Sequence, residues 1–207
     1  AVGYFWGSAG RGLPHQERER AAELEQQAGA YAQSLVIRTR RSIAETDRLL
    51  LLLRHSWASS GARGSLTGTM EAGIFSQQYI AAVAFIDRKG IVVSSTHPHA
   101  LGRYFGNRPY FGAQQNAAGD HLYLSGPLDG QLTGQEVVGM LRPLLTPDGR
   151  FDGIVLINVR PAYFTQHYAE PILGDYGFVA VARSDGAILA TPTGDTVEGE
   201  LTESDGR

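Results

Sequence analysis

Two kinds of hydrophobic pattern divide the chain. From about Leu13 to Ser60 the apolar positions recur at helical spacing. Leu24, Ala28, Tyr31 and Leu35 lie four, three and four residues apart, and the stripe resumes with Ile43, Leu50, Leu53 and Trp57. Glu17, Arg18, Glu19, Arg20, Arg38, Arg40 and Arg41 fill the positions between and give a solvated face. No proline interrupts the run after Pro14, which suits the first turn of a helix. A helix over this span is roughly 65 Å long at the usual rise per residue. The glycine-rich stretch from Gly61 to Gly68 ends it.

Beyond that point the pattern is one of strands. Tyr79 to Phe85 is a short apolar run, Asp87-Arg88-Lys89-Gly90 is a tight turn, and Ile91-Val92-Val93 returns as a second strand. A helix or loop follows around Tyr104 to Asn116. Three more strands are expected at His121 to Ser125, Glu136 to Leu145 and Phe151 to Val159, the last two joined by the turn Thr146-Pro147-Asp148-Gly149. After a short helix at Pro161 to Tyr168, a second hairpin runs through Phe178 to Arg183, Asp185-Gly186 and Ala187 to Thr191. Its Gly186 stands 96 residues after Gly90, a loose internal repeat. A long helix, an antiparallel sheet with a helical crossing segment and the start of a second, smaller module make an α+β chain.

Composition narrows the function. The formal net charge is −3, so there is no basic surplus to recruit nucleic acid. The absence of cysteine removes disulfides, thiolate zinc sites and cysteine nucleophiles together. No run of about 18 apolar residues occurs, the length a membrane-spanning helix needs. The opening Ala1-Val2-Gly3-Tyr4-Phe5-Trp6 reads either as the outer end of a preceding transmembrane helix, with Tyr and Trp at the interface, or as a loosely ordered terminus. No nucleophile elbow, P-loop or dinucleotide-binding glycine pattern is present, and no catalytic residues or cofactor are expected.

Asn107-Arg108-Pro109-Tyr110-Phe111, Thr133-Gly134, Pro147-Asp148-Gly149-Arg150-Phe151-Asp152-Gly153-Ile154-Val155 and Pro161-Ala162-Tyr163-Phe164, in this order and spacing, resemble the double Cache sensor family. Such domains form the periplasmic part of bacterial diguanylate cyclases, histidine kinases and chemoreceptors. The resemblance implies a PAS-like Cache fold with a long helix over 1–60, a membrane-distal module over 61–173 and the beginning of a membrane-proximal module over 174–207. The second module is either truncated or vestigial. It also implies a parent anchored in the membrane by flanking helices, with the sensor outside the cytoplasm. Amino-acid-binding members carry Tyr, Arg, Trp-Tyr and a later Asp; here Tyr104, Arg108, Tyr110 and Phe111 stand near the first positions, and Asn158 stands where the Asp would be. The Asp pairs with the ligand's ammonium, so a neutral Asn favours an anionic or neutral small ligand.

Each candidate also has a plain structural role open to it. Arg108 either clamps a carboxylate with its planar fork or bridges a surface loop. Of the adjacent Tyr110 and Phe111, one is expected to wall the pocket and the other to be core, with Tyr110 favoured for the pocket. Asn158 lies amid Ile154, Val155, Leu156, Ile157 and Val159, and must face solvent, find an internal partner or meet a ligand. Tyr123 and Ser125 share one strand face, with Leu122 and Leu124 on the other, and are expected to line the pocket. His97, His99 and His121 lack the spacing and acidic neighbours of a metal site and read as loop histidines. The expectation is a sensor that binds a small ligand between the sheet and the Tyr104 to Asn116 segment and passes the change through the long helix. The stripe Leu24, Ala28, Tyr31, Leu35 either pairs two protomers or packs on its own sheet. The alternative is a ligand-free interaction or dimerisation module of a membrane receptor.

Overall fold

The computed structural model describes residues 2–5, 15–60, 66, 72–73, 75–165, 180–183, 185–186 and 188–190. In chain order the elements are β1 (Val2–Phe5), α1 (His15–Ser59), β2 (Ile80–Asp87), β3 (Val92–Ser95), a 3-10 turn (Pro98–Ala100), α2 (Pro109–Asn116), β4 (Tyr123–Asp129), β5 (Glu136–Leu145), β6 (Phe151–Val159), α3 (Ala162–Thr165), β7 (Ala180–Arg183) and β8 (Ile188–Ala190). This is the α+β arrangement the sequence pattern implies. The chain forms two compact units, one of 1–43 with 161–207 and the other of 44–160. No helix among the described residues is long and apolar enough to cross a membrane.

The unit of 44–160 holds a five-stranded antiparallel sheet in the order β3-β2-β6-β5-β4. β5 and β6 occupy the spans read from the sequence, because the Thr146 to Gly149 turn fixes both ends. Gly149 takes a positive φ of 80°, and the Thr146 amide closes the turn on the Arg150 carbonyl at 2.9 Å. β2 is buried on both faces through Ile86, which is why its sequence shows a continuous apolar run rather than alternation. Gly90 ends the β2 to β3 turn at φ 80°, and a Cβ there would lie 2.4 Å from the Gly106 Cα. The two backbones therefore touch, and the Phe105 amide donates to the Gly90 carbonyl at 2.7 Å. That contact sets where the lead into α2 begins.

The unit of 1–43 and 161–207 holds a three-stranded sheet in the order β1-β7-β8. In the opening segment, Val2 to Phe5 pairs antiparallel with β7, Val2 opposite Arg183 and Phe5 opposite Ala180. Val, Tyr and Phe suit an extended backbone, but their partner strand comes from the far end of the sequence. Gly186, at φ 90°, turns β7 into β8 as expected. Phe178, Ala187 and Thr191 lie outside the described residues, as do Gln166 to Tyr168 of the short helix. In this unit the Tyr163 hydroxyl donates to the Ser42 carbonyl at 2.9 Å.

Along α1 the buried positions are Ala32, Leu35, Thr39, Ser42, Thr46 and Leu50. The gap left by the apolar residues between Leu35 and Ile43 is thus filled by short hydroxyl side chains, which helices bury readily because they can bond a carbonyl one turn back. The side chains of Leu24, Ala28 and Tyr31 lie outside the described residues.

Candidate functional site

The strand registers sort the sheet into two faces. Opposed residues share a face, so Phe85, Val155 and Arg142 form one row on one side. On the other side, Ala84, Leu156, Leu141 and Tyr123 form a row, and the next holds Ala82, Asn158 and Gly139. Ala82, Ala84, Ile86, Leu141, Ile154 and Leu156 pack with Phe105, Tyr110 and Phe111, so this second face is the one that α2 covers.

α2 starts at Pro109, whose ring suits a first helical turn, and Arg108 precedes it with an extended backbone. The guanidinium of Arg108 leans back over Tyr110, its Cζ 5.9 Å from the ring centroid. Its Nη2 donates to the Asp129 carbonyl at 3.1 Å, at the end of β4. Its Nε is buried and, among the described residues, has no partner. Tyr110 and Phe111 are both buried, so neither is turned away from the core. Adjacent residues on a helix are only about 100° apart and can share one broad buried face, which is why the choice between them does not arise. Burial pushes the Tyr110 phenol up, against the pull of the Arg108 charge and hydrogen bond, so the phenol stays neutral at ordinary pH. Phe111 meets Phe151 edge-on at 5.6 Å.

Asn158 is 4% exposed. Its two neighbours in the row are the smallest available, Ala82 on one side and Gly139 on the other. A Cβ on Gly139 would lie 3.6 Å from Asn158 Oδ1 and 3.2 Å from Ser125 Oγ. The two polar side chains thus flank one bare glycine.

Ser125 reaches this position by a different route from the expected alternation. β4 carries an irregularity between Leu124 and Pro127. The Ser125 hydroxyl repairs it, accepting from the Gly139 amide at 2.7 Å and donating to the Gly126 carbonyl at 2.7 Å. Tyr123 is half-buried and packs against the cluster under α2. Tyr104 stands apart from this group. It is 57% exposed, bridges to Ile91 and lays its ring over Gly106. Of the six sequence candidates the fold therefore gathers Arg108, Tyr110, Tyr123, Ser125 and Asn158 around the α2-covered face, and leaves Tyr104 on the outer edge.

Gln114 is the residue that sequence reasoning missed. It follows Tyr110 by one helical turn and is 2% exposed. Its Nε2 donates to the carbonyls of His121 at 3.0 Å and Leu141 at 3.4 Å, while its Oε1 is buried without a donor. A polar residue at i+4 from a buried aromatic was the available signal. In an eight-residue helix of weak amphipathicity it did not stand out.

The opposite face of the sheet meets the last part of α1. Trp57 stacks on Phe85 with centroids 4.3 Å apart. Arg142 binds both oxygens of Asp47, at 2.5 and 2.8 Å, and reaches Asp120 at 2.7 Å. Arg54 binds the other oxygen of Asp120 at 2.8 Å. Burial works to raise the Asp120 carboxyl, but hydrogen bonds from Arg54 and Arg142 outweigh it and the net shift is downward. Hydrogen bonding to Asp47 leads the upward shift of Arg142. Asp120 sits in the loop between α2 and β4, next to the His121 whose carbonyl holds Gln114.

The loop histidines are held individually. His97 and His99 meet edge-on at 5.5 Å. His97 bonds Thr96 at 3.2 Å, and His99 bonds the Leu132 carbonyl at 3.1 Å. Burial first, then the charge of His99, lowers the His97 pKa. Among the described residues no three His, Asp or Glu side chains gather as a metal site.

A family model described as Cache domain matches residues 15–207, and the chain belongs to the Cache family. The fold is shared with the extracellular domain assigned to the histidine kinase rpHK1S-Z16, at 19% identity over 90% of this chain and 76% of that one, with a TM-score of 0.73. It is shared with the sensor domain of the Vibrio cholerae histidine kinase DctB, at 18% identity over 91% and 74%, TM-score 0.55. The ligand-binding domain of the Pseudomonas fluorescens chemoreceptor CtaA, solved in complex with L-serine, aligns at 16% identity over 89% and 79%, TM-score 0.65. At these identities the likeness is one of fold. No curated protein sequence matches the chain.

Proposed function

We propose, from membership in the Cache family, that this chain is the extracytoplasmic ligand-sensing domain of a bacterial membrane signalling receptor of the histidine kinase or diguanylate cyclase type, without catalysis of its own. A small ligand carrying an anionic group docks between the sheet and α2. Arg108 holds that group, Tyr110 and Tyr123 flank it, and Asn158 bonds its polar end. The observation that carries this reading is the buried Nε of Arg108, unpartnered among the described residues, at the start of the helix that covers this face of the sheet. A buried donor left unpaired costs about 1–3 kcal/mol, and a carboxylate accepting from the guanidinium would recover it with charge assistance. Ser125, whose hydroxyl is engaged on both sides, contributes by shaping the bend of β4.

The Asp120 network supports passage of the signal to the long helix. Any shift of the α2 to β4 loop acts on Arg142 and Arg54, and through them on Asp47 of α1. A ligand biases such a two-state arrangement only by binding one state better than the other.

A thermal-shift screen against amino acids, carboxylates, amines, purines and sugars, repeated with Arg108→Ala, tests the reading. A ligand at 100 times its Kd stabilises by about 2.7 kcal/mol, and a carboxylate hit that the variant loses is the expected result. A folded protein that responds to none of these compounds would move the assignment to the interaction or dimerisation module.

A further inference from the structure

Resting for its purpose on that reading of the site, we infer that Gln114 is a positioning residue of the signal path. It braces α2 against the two backbone segments that carry Asp120 and Arg142, so that a displacement of α2 reaches Asp47 and Arg54 of α1. The Gln114 side chain is 2% exposed, and its Nε2 donates to the carbonyls of His121 at 3.0 Å and Leu141 at 3.4 Å. Exchanging its oxygen for its nitrogen would set lone pair against lone pair, which fixes the orientation of the amide.

Each of those carbonyls belongs to the chain neighbour of an ion-paired residue. Asp120 precedes His121 and Arg142 follows Leu141, and Arg142 Nη1 meets Asp120 Oδ1 at 2.7 Å. One side chain of α2 thus spans the same two segments that the ion pair spans one residue away. The Leu141 carbonyl shares a rigid peptide plane with the Arg142 nitrogen. Leu141 lies in the row that faces α2, while the Arg142 guanidinium meets both oxygens of Asp47 on the α1 face. Arg54 closes the frame, binding Asp120 at 2.8 Å and the Pro143 carbonyl at 3.3 Å. Three successive residues of β5 are therefore tied to a helix, Leu141 to α2 and the next two to α1.

Apolar contact alone would not hold α2 in this way. Tyr110 and Phe111 pack into the cluster beneath the helix, and such contacts carry no direction. Hydrogen bonds to two particular carbonyls set both distance and angle. Among the described residues Gln114 Oε1 is buried without a partner, a penalty that an apolar side chain of similar size would avoid. The bonds of Nε2 account for a glutamine at this place despite that penalty.

The test is thermal unfolding of the full chain between about pH 3 and about pH 7, spanning the ordinary aspartate range. Wild type, Gln114→Met, Asp120→Asn and the double variant are compared. Arg54 and Arg142 face Asp120, Asp47 stands behind Arg142 and His121 is next in the chain, so Asp120→Asn separates the Asp120 titration from theirs. Gln114→Met is expected to lower Tm by about 3–6 °C at neutral pH and to flatten the acid limb as Asp120→Asn does. In the Asp120→Asn background the same change should cost less than half as much. Gln114→Asn, which keeps the amide on a shorter arm, should behave alike and replaces Gln114→Met if that variant does not fold. Either an unchanged acid limb or an equal loss in both backgrounds means that Gln114 only fills space, and overturns the inference.

A second arm follows the signal. With Trp6→Phe, Trp57 is the sole tryptophan and reports on α1 where it stacks on Phe85. Whichever of succinate, 4-aminobutyrate and L-serine raises Tm should also shift Trp57 emission, and Gln114→Met should lose that shift while keeping the Tm rise. A Tm rise with unmoved Trp57 emission, or a shift that survives Gln114→Met, overturns the signal path. A Tm raised by none of the three speaks against the ligand site instead, and the acid limb still decides the brace.

Discussion

The two faces of the five-stranded sheet are built to opposite rules. On the α1 face Arg54, Arg142, Asp47 and Asp120 are all paired. Arg142, with its side chain 14% exposed, is held by two aspartates, and Trp57 lies flat on Phe85. On the α2 face two buried polar atoms are left unanswered among the described residues: Arg108 Nε and Gln114 Oε1. The first face looks like structure that was optimised for stability, and the second like structure that gives up some stability for another purpose. Buried polar groups that lack partners persist where something else, such as a ligand, completes them.

Substitutions on the paired face should therefore cost more than those on the unpaired one. Leu50 is fully buried and lies on the same helical stripe as Asp47, Arg54 and Trp57. Leu50→Ala is expected to lose about 4 kcal/mol, in the range of core leucine truncations, measured by urea denaturation. Arg142→Met should lose about 2–3 kcal/mol, because it strands Asp47 and leaves Asp120 with Arg54 alone. A loss below about 0.5 kcal/mol, the level of an exposed pair, would break the contrast between the faces.

Acid should act on the same network. The Asp120 pKa is depressed in the folded state. Its contribution is therefore complete above the ordinary aspartate range and is lost as pH falls through the lower folded value, that is, below about pH 4. Asp120→Asn should flatten the acid limb of a stability-against-pH curve and leave the slope between pH 6 and 8 unchanged. An unchanged acid limb would show that the two arginines do not hold Asp120 in solution.

The unpaired face should tolerate change. Asn158→Leu nearly conserves volume in the row of Ala82 and Gly139, and is expected to change stability by less than about 1.5 kcal/mol while weakening ligand response in the thermal-shift screen. A loss of 2 kcal/mol or more would mean that Asn158 has an internal partner. The smallest effect is expected of Gly139→Ala, whose new methyl would meet Leu156 Cδ1 at 3.3 Å and Ser125 Oγ at 3.2 Å. It should cost under about 1 kcal/mol and reduce ligand binding by filling the space beside Asn158.

What the sequence determined by itself was local. Helical spacing and the lack of proline marked α1. The Asp87 to Gly90 and Thr146 to Gly149 turns framed β2, β3, β5 and β6. The order of short motifs pointed to the Cache family. These follow from interactions between residues near one another in the chain, so a linear reading captures them. Asn158 could be singled out for the same reason, being polar amid an apolar run, whereas Arg108 stood out through the resemblance to the Cache family.

Tertiary structure decided everything that depends on which distant segments meet. β1 exists because β7 offers it an edge, and Thr39, Ser42 and Thr46 are buried because the stripe of α1 passes through them. Tyr104 was moved outward because Gly90 and Gly106 bring their backbones into contact. Ser125 was set against Gly139 by the β4 irregularity that its hydroxyl bridges, and Gln114 became notable only once its two carbonyl partners were in place. Pairing register and the satisfaction of buried polar groups are long-range properties, and no residue carries them in its own identity.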